Sequence, residues 1–440
     1  MQVKEFHGGI KAFEKRLERA LPFEVYGYVI KVLGFFLESS GPLLRIGDLC
    51  RVVGKEIQAL AEVVGFHENR ILLTALTDIR GLEVGAKVYP LGGPQAPVGM
   101  NFIGRVLNAL GEPLDEKPKP EPQDFYPLYG DPLKPFDRAR IDKVLDVGIK
   151  AINAFLTIGE GQRVAIMAGS GVGKSTLLGM IARYTVADVN IIALIGERGR
   201  EIREFIERDL GEEGLKKSVV IASTSDESPA LRQRAAYYAT ALAEYFRDHG
   251  LRVLLLMDSL TRFCMAGREI GLAGGEPPTA RGYTPSVFAT LPRLLERVGP
   301  HIKGGSITGI YTVLVEGDDM NDPIGDAVRS IVDGHIVLSR DLAQEGHYPP
   351  IDVLASLSRV MKDIVTKEHM KLYQEAIQIL ATYKRAEDLI NIGAYVKGSN
   401  PEIDRALVIT PKLKLFLRQD IEEGYSFEQS LEGLKEALKS

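Results

Sequence analysis

The nine residues Ala168-Gly169-Ser170-Gly171-Val172-Gly173-Lys174-Ser175-Thr176 constrain the fold of this chain more than any other stretch. Before them lies Arg163-Val164-Ala165-Ile166-Met167, an apolar run of strand length. After them Leu177, Leu178, Ile181 and Ala182 recur at helical spacing. Strand, glycine loop and helix in that order read as a phosphate-binding loop. Its three glycines let the backbone curl with N–H groups turned inward at a helix N-terminus, where phosphate oxygens can be held. Lys174 would reach the β- and γ-phosphates, and the Ser175 hydroxyl would ligate Mg²⁺. Ala168 stands where a first glycine is usual; a small side chain is tolerable there at negative φ. The competing expectation is a glycine-rich turn that binds nothing.

A chain of 440 residues has room for about two to four structural units. Its formal net charge of −5 offers no general attraction to nucleic acid or to an anionic membrane. No apolar run approaches the length of a membrane span. Met1-Gln2-Val3-Lys4-Glu5 has no apolar signal-peptide core. Cys50 and Cys264, far apart and outside any metal-ligand pattern, point to buried thiols in a reducing compartment. The expectation is a soluble cytoplasmic protein.

Four regions separate by pattern. In 1–22, Ile10, Phe13, Leu17 and Leu21 share one face of an amphipathic helix, which either packs on its own domain or docks a partner. Residues 23–95 alternate β-rich runs (26–33, 49–53, 59–66, 71–75 and 86–89) with glycine-containing turns, as a small antiparallel β-barrel does. Region 96–360 opens with a proline-rich connector that breaks regular structure, then alternates helices with strands at 164–167, 190–195, 218–222, 253–257, 308–315 and 335–338. The first four of these strands are continuous apolar runs, the mark of a parallel sheet covered on both faces. From 361 to 440 the pattern turns helical, with segments at 413–419 and 427–438 closing it. The expected fold class is α/β: a parallel-sheet P-loop core, a small β-barrel before it and an α-helical C-terminal domain after it.

Binding phosphate is not cleaving it. Hydrolysis needs a metal site, a base for water and positive charge at the γ-phosphate. Candidates fall at the carboxyl ends of predicted strands, where open α/β sheets place ligands. Asp258 ends Leu254-Leu255-Leu256-Met257-Asp258 and can hold a Mg²⁺-bound water; its plain alternative is to cap the next helix. Glu197 follows 191–195 and Gly196, and can polarise the attacking water; the alternative is a solvated glutamate at a helix N-terminus. Arg262, four residues past Asp258 on the same helical face, can approach the γ-phosphate or form a surface salt bridge. Arg359 closes the run that starts at Tyr348, and spacing alone assigns it nothing.

Residues 168–176, Gly196-Glu197-Arg198, 254–262 and 348–359 occur in the order and at the separations of the rotary ATPase catalytic subunits, and the chain resembles them over nearly its whole length. Gly275-Glu276-Pro277-Pro278-Thr279-Ala280-Arg281-Gly282-Tyr283, the run 315–324, Gly346-His347-Tyr348-Pro349 and Asp352-Val353-Leu354-Ala355-Ser356 resemble more narrowly the type III secretion ATPases. Ser225-Asp226-Glu227-Ser228-Pro229-Ala230-Leu231-Arg232 is closer to the flagellar export branch than to the virulence injectisome branch.

The resemblance implies a RecA-like core hydrolysing ATP with Mg²⁺. It implies Lys174 and Ser175 on phosphate and metal, Glu197 as the catalytic glutamate with Arg198 beside it at a subunit boundary, and Asp258 at the metal. It further implies Arg262 near the γ-phosphate, Tyr348 stacked on adenine rather than packed in a core, and Arg359 as an arginine finger for the neighbouring subunit's nucleotide.

A loop and a finger acting in trans on one chain imply a head-to-tail ring of identical subunits, and the resemblance implies that this ring is a homohexamer. The loop 274–285 would then face the channel. By position, the N-terminal helix resembles the docking segment for a regulatory stalk protein. The C-terminal helices resemble the region that meets export chaperones with their cargo and a central shaft protein, with the ring peripheral to a membrane export gate. Asn153 in place of the family's usual Asp, and the order Thr279-Ala280, are departures that touch none of this chemistry. Two other readings stand beside it: a non-catalytic ring subunit, against which Glu197 argues, and an RNA-translocating hexameric ATPase. The latter would use the barrel as a nucleic-acid platform, yet Lys, Arg and aromatics do not cluster across it in sequence.

Overall fold

A computed structural model describes residues 24–315 and 322–439, which divide into two compact units, one ending at Pro94 and the other starting at Gln95. The expected N-terminal helix at 1–22 and residues 316–321 of the 315–324 motif lie outside the described residues. In the first unit, β1 (Gly27–Leu33), β2 (Phe36–Ser39), β3 (Leu49–Val53), β4 (Gln58–His67), β5 (Arg70–Ala75) and β6 (Lys87–Gly92) form a closed antiparallel barrel in the order β1-β2-β5-β4-β3-β6. Alternate residues point inward, so Val29, Leu37, Cys50, Val52, Ala61, Val63, Leu73 and Val88 fill its interior. The sequence runs omitted β2. A two-residue turn with Gly34 at φ 59° joins it to β1 too tightly for the hydrophobic pattern to break.

The barrel also corrects the expectation that cations and aromatics stay apart on it. The Tyr26 ring meets Tyr28 and Tyr89 at centroid distances of 5.4 and 5.5 Å, with Lys87 Nζ 4.3 Å from the Tyr26 centroid and Arg51 over Tyr89. Pairing of β1, β3 and β6 gathers residues that linear spacing keeps apart.

The second unit is built on a nine-stranded sheet. Its edge pieces include β7 (Gln95–Val98), which pairs in a separate ribbon with β9 (Asp124–Pro127), and β8 (Arg105–Asn108), which joins the main sheet. The core strands are β10 (Arg163–Ala168), β11 (Val189–Glu197), β12 (Ser218–Thr224) and β13 (Arg252–Asp258). With short β14 (Gly299–Pro300), β15 (Ser306–Leu314), β16 (Gly334–Leu338) and β17 (Ile351–Ser358), the sheet order is β17-β16-β10-β15-β13-β11-β12-β8. All six expected strands are present, and the pairs from β16 to β8 are parallel. β17 runs antiparallel to β16 on the edge. β8 emerges from the connector that its prolines mark as irregular; four residues between them suffice to pair with β12.

The apolar runs are continuous because both faces are covered. Val164, Ile166 and Ala168 of β10 face one cluster, shared with Leu177, Leu178 and Ile181 and with Ile379, Leu380, Ile409, Leu413 and Leu434 from the C-terminal helices. Ala165 and Met167 face the other, beneath helices Pro229–Asp248 and Leu260–Ala273. Cys50 and Cys264 are both buried free thiols. The C-terminal helices Lys367–Asn391, Pro401–Leu417 and Phe427–Ala437 start at Thr366, Asn400 and Ser426 caps. Helix Pro401–Leu417 begins well before the expected 413 and runs through Pro411, because Ile409, Leu413 and Phe416 bury one face on either side of the lost hydrogen bond. Among the described residues no helix is long and apolar enough to cross a membrane.

Candidate active site

β10 ends at Ala168, and helix Lys174–Tyr184 starts six residues later. Gly171 and Gly173 take φ 76° and 92°, a region that favours glycine, and Gly173 is the helix N-cap. Ala168 is still in the strand, paired to Leu314 and Leu338, so its side chain is no obstacle. Val172 is buried, whereas Ser170, Gly171 and Ser175 are exposed. The uncapped first turn presents free N–H groups and the positive end of the helix dipole beside Lys174.

Two carboxylates converge on that lysine. Lys174 Nζ lies 2.5 Å from Asp258 Oδ1 and 3.9 Å from Glu197 Oε1. Asp258 does not cap the following helix: Ser259 does, accepting from Arg262 N at 3.2 Å. Asp258 is instead buried and takes a second hydrogen bond from Thr312 Oγ1 at 2.7 Å, a partner that sequence spacing gave no reason to seek. Glu197 sits just past a register slip between β11 and β12, where Gly196 has φ 66°; such a bulge re-aims the side chain that follows it. Burial and the nearby Asp258 charge push the Glu197 carboxyl up to about 7, against the pull of Lys174 and Arg262, and a shared hydrogen bond with Glu201 adds to the rise. Oε1 of Glu197 and Nε of Arg262 are both buried without a hydrogen-bond partner. Ser175, Glu197, Glu201 and Asp258 line one cavity of about 110 Å³. Arg198 stands at the N-cap position of helix Gly199–Glu204 without a side-chain cap bond, is 79% exposed in its side chain, and pairs with Glu201 at 3.3 Å.

The opposite side of the same helix turn opens on a cavity of about 690 Å³, lined by Gly173, Thr176, Leu177 and Tyr348. Tyr348 is about half exposed, and a Cβ placed on Gly173 would stand 3.7 Å from its ring. This ring is therefore not core packing. Lys150 and residues Leu415, Gln419 and Ile421 complete the wall, and Gln419 N donates to Tyr348 O at 2.9 Å. Sequence reasoning missed these wall residues entirely. They lie far from the loop in sequence and carry no motif of their own.

Arg359 is elsewhere. It follows the antiparallel edge strand β17, whose Ser358 pairs with Gly334, the first residue of β16. Its guanidinium donates to Val332 O at 3.3 Å and Arg329 O at 3.4 Å, and its N–H to Asp333 O; the Asp333 carboxylate in turn holds Arg163, the first residue of β10. Five residue steps of β10, about 16 Å, separate that end from the phosphate loop. Asn153 is buried, with Nδ2 donating to Asp146 Oδ1 at 2.8 Å; an aspartate there would set two carboxylates together.

Hard oxygen donors suit Mg²⁺, and Ser175 and Asp258 supply two. No cluster of three His, Cys, Asp or Glu side chains able to hold a metal occurs among the described residues, so any Mg²⁺ here would rely on nucleotide oxygens and water for its other ligands.

The model for the ATP synthase alpha/beta family nucleotide-binding domain matches residues 148–358, and that for the family's beta-barrel domain matches 24–92. The T3SS EscN ATPase C-terminal domain matches 365–436. The flagellum-specific ATP synthase of Bacillus subtilis (strain 168) is 52% identical over 424 residues, 95% of this chain and 96% of that protein. The type 3 secretion system ATPase of Xanthomonas euvesicatoria is 48% identical over 410 residues, 92% of each. The assembled ATPase EscN from the enteropathogenic E. coli type III secretion system superposes with a TM-score of 0.89 at 44% identity, over 94% of this chain and 100% of that one.

Proposed function

The chain belongs to the ATP synthase alpha/beta family, in its type III secretion branch, and from that premise we propose that it hydrolyses ATP to drive flagellar protein export. Flagellum-specific ATP synthases from several bacteria are 45–52% identical to it. An injectisome ATPase is the neighbouring alternative, at 48%.

In the proposed cycle the loop amides and Lys174 hold the β- and γ-phosphates, which compete with Asp258 and Glu197 for the lysine ammonium. Ser175 and Asp258 would hold Mg²⁺, which when bound neutralises charge gathering on the phosphate oxygens. Glu197, poised near neutrality, orients water and takes up its proton as the water oxygen bonds to the γ-phosphorus and ADP leaves. Arg262 carries charge to the γ-phosphate, Arg198 stands at the subunit boundary, and Tyr348 stacks on adenine in the wide cavity.

The observation that carries the quaternary reading is the place of Arg359. An edge strand running against its neighbours sets it at the wrong end of its own sheet, so it serves a nucleotide on an adjoining copy. Head-to-tail repetition of that contact closes a ring, here a homohexamer. An assembled EscN, and EscN with its central stalk EscO, are solved for a relative. By analogy this ring takes a central stalk, with loop 274–285 toward the channel. It would work in the cytoplasm against the membrane export gate, receiving chaperones with cargo at its C-terminal helices and a regulatory stalk protein at its N-terminal segment.

The test mixes Lys174→Ala protein with Arg359→Ala protein. In an equimolar ring about a quarter of interfaces regain both groups, so turnover should exceed that of either variant alone. Co-assembly without such recovery refutes the shared site. One observation favours the RNA-translocase reading, the aromatic and cationic cluster on the barrel; it requires hydrolysis stimulated by RNA homopolymers and lost at high salt.

A further inference from the structure

We propose that Arg232 is a positioning residue for hydrolysis, bracing the tip of β11 against helix Leu260–Ala273 so that Glu197 and Arg262 meet one nucleotide. The inference rests on the roles given above to those two residues. Arg232 lies in the first turn of helix Pro229–Asp248 and is nine-tenths buried. Its Nη2 reaches Glu269 Oε2 at 2.8 Å. Glu269 stands two turns beyond Arg262 on helix Leu260–Ala273, on the same face. The stem of Arg232 runs against Gly196, the bulge residue that aims Glu197: a Cβ added there would lie 3.4 Å from Arg232 Cδ and 3.2 Å from Arg262 Cβ.

Three elements thus converge on one glycine. The stems of Arg232 and Arg262 lie on Gly196, and the ion pair with Glu269 ties Arg232 to the helix that carries Arg262. With its charge engaged by Glu269, Arg232 is fixed in place, and Arg262 is left to act on Glu197, whose ionised form it favours. Nε of Arg232, like that of Arg262, is buried without a partner, so the pair is set by packing and a single ion pair rather than by a closed hydrogen-bond network. The ion pair of Arg232 goes to Glu269 and not to a group assigned to phosphate or metal, which is why its part is placement.

Steady-state ATP hydrolysis by the full-length protein tests this with R232Q, R232K and E269Q. Misplacement of a catalytic group by about 1 Å costs up to about 100-fold, so R232Q should lower kcat by about 10- to 100-fold. KM for ATP should stay within about twofold, since the adenine cavity and Lys174 are untouched. R232K, which keeps the stem and the charge, should recover part of the loss. Native kcat in R232Q overturns the proposal, as does a KM that rises in step with the fall in kcat. If R232Q does not fold, E269Q carries the same test: reduced kcat at constant KM supports the brace, and unchanged kcat overturns it. Native turnover in Glu197→Gln would instead sink the parent reading, whatever Arg232 does.

Discussion

The two sides of the first turn of helix Lys174–Tyr184 are built on opposite plans. On the Ser175 side, Glu197, Glu201 and Asp258 crowd a small cavity, and two of the carboxylates share one lysine. On the Thr176 side the cavity is some six times larger by the volumes above, and is walled by Leu177, Met180, Tyr348, Leu415 and Ile421. Adjacent residues thus look into a charged slot and an apolar pocket. Turnover should depend on the first and affinity on the second.

Arg359→Ala gives the largest expected effect and lies on neither side. If it completes the charged slot of an adjoining copy, kcat falls about 10³- to 10⁵-fold while nucleotide affinity is kept. Assays on the assembled ring would break the division if affinity were lost instead. Next comes Glu197→Gln, with kcat down about 10²- to 10⁴-fold at little-changed KM. The sign of the pH effect follows from the same carboxyl. Its folded value is raised to about 7, and a base needs the ionised form. The kcat/KM profile should therefore climb as pH rises through about 7, and lose about tenfold per unit well below it; a flat profile between pH 5 and 8 contradicts the base role. Tyr348→Ala should raise KM for ATP about tenfold, toward the low end of the 1–3 kcal/mol that base stacking contributes, with kcat almost unmoved. Smallest is Tyr348→Phe, expected within about twofold in both constants because the ring face carries the contact.

The charged side was legible in sequence, whereas on the apolar side Tyr348 was reached only through the resemblance and the wall around it not at all. Glu197 and Asp258 end apolar strands, and a parallel sheet brings strand ends together whatever the rest of the chain does. Asp258 by itself was ambiguous, since an aspartate there can cap a helix; Ser259 takes that task and frees the carboxylate for Lys174. The wall around Tyr348 depends on a C-terminal segment folded back over the sheet, and no local pattern encodes that return. β8 and the barrel's β2 were lost for a related reason: each is only four residues long and is defined by its partner rather than by its own periodicity. Pro411 misplaced a helix start because packing on both flanks outweighs one missing hydrogen bond.

The bond from Gln419 N–H to the Tyr348 carbonyl ties the end of helix Pro401–Leu417 to the ring proposed to meet the base. Thermodynamic linkage then runs in both directions. Whatever factor an occupied pocket imposes on the grip of a protein held at those helices, the held protein must impose on the pocket. Cargo delivery and nucleotide exchange would share one coupling constant, with a two-residue contact as its hinge.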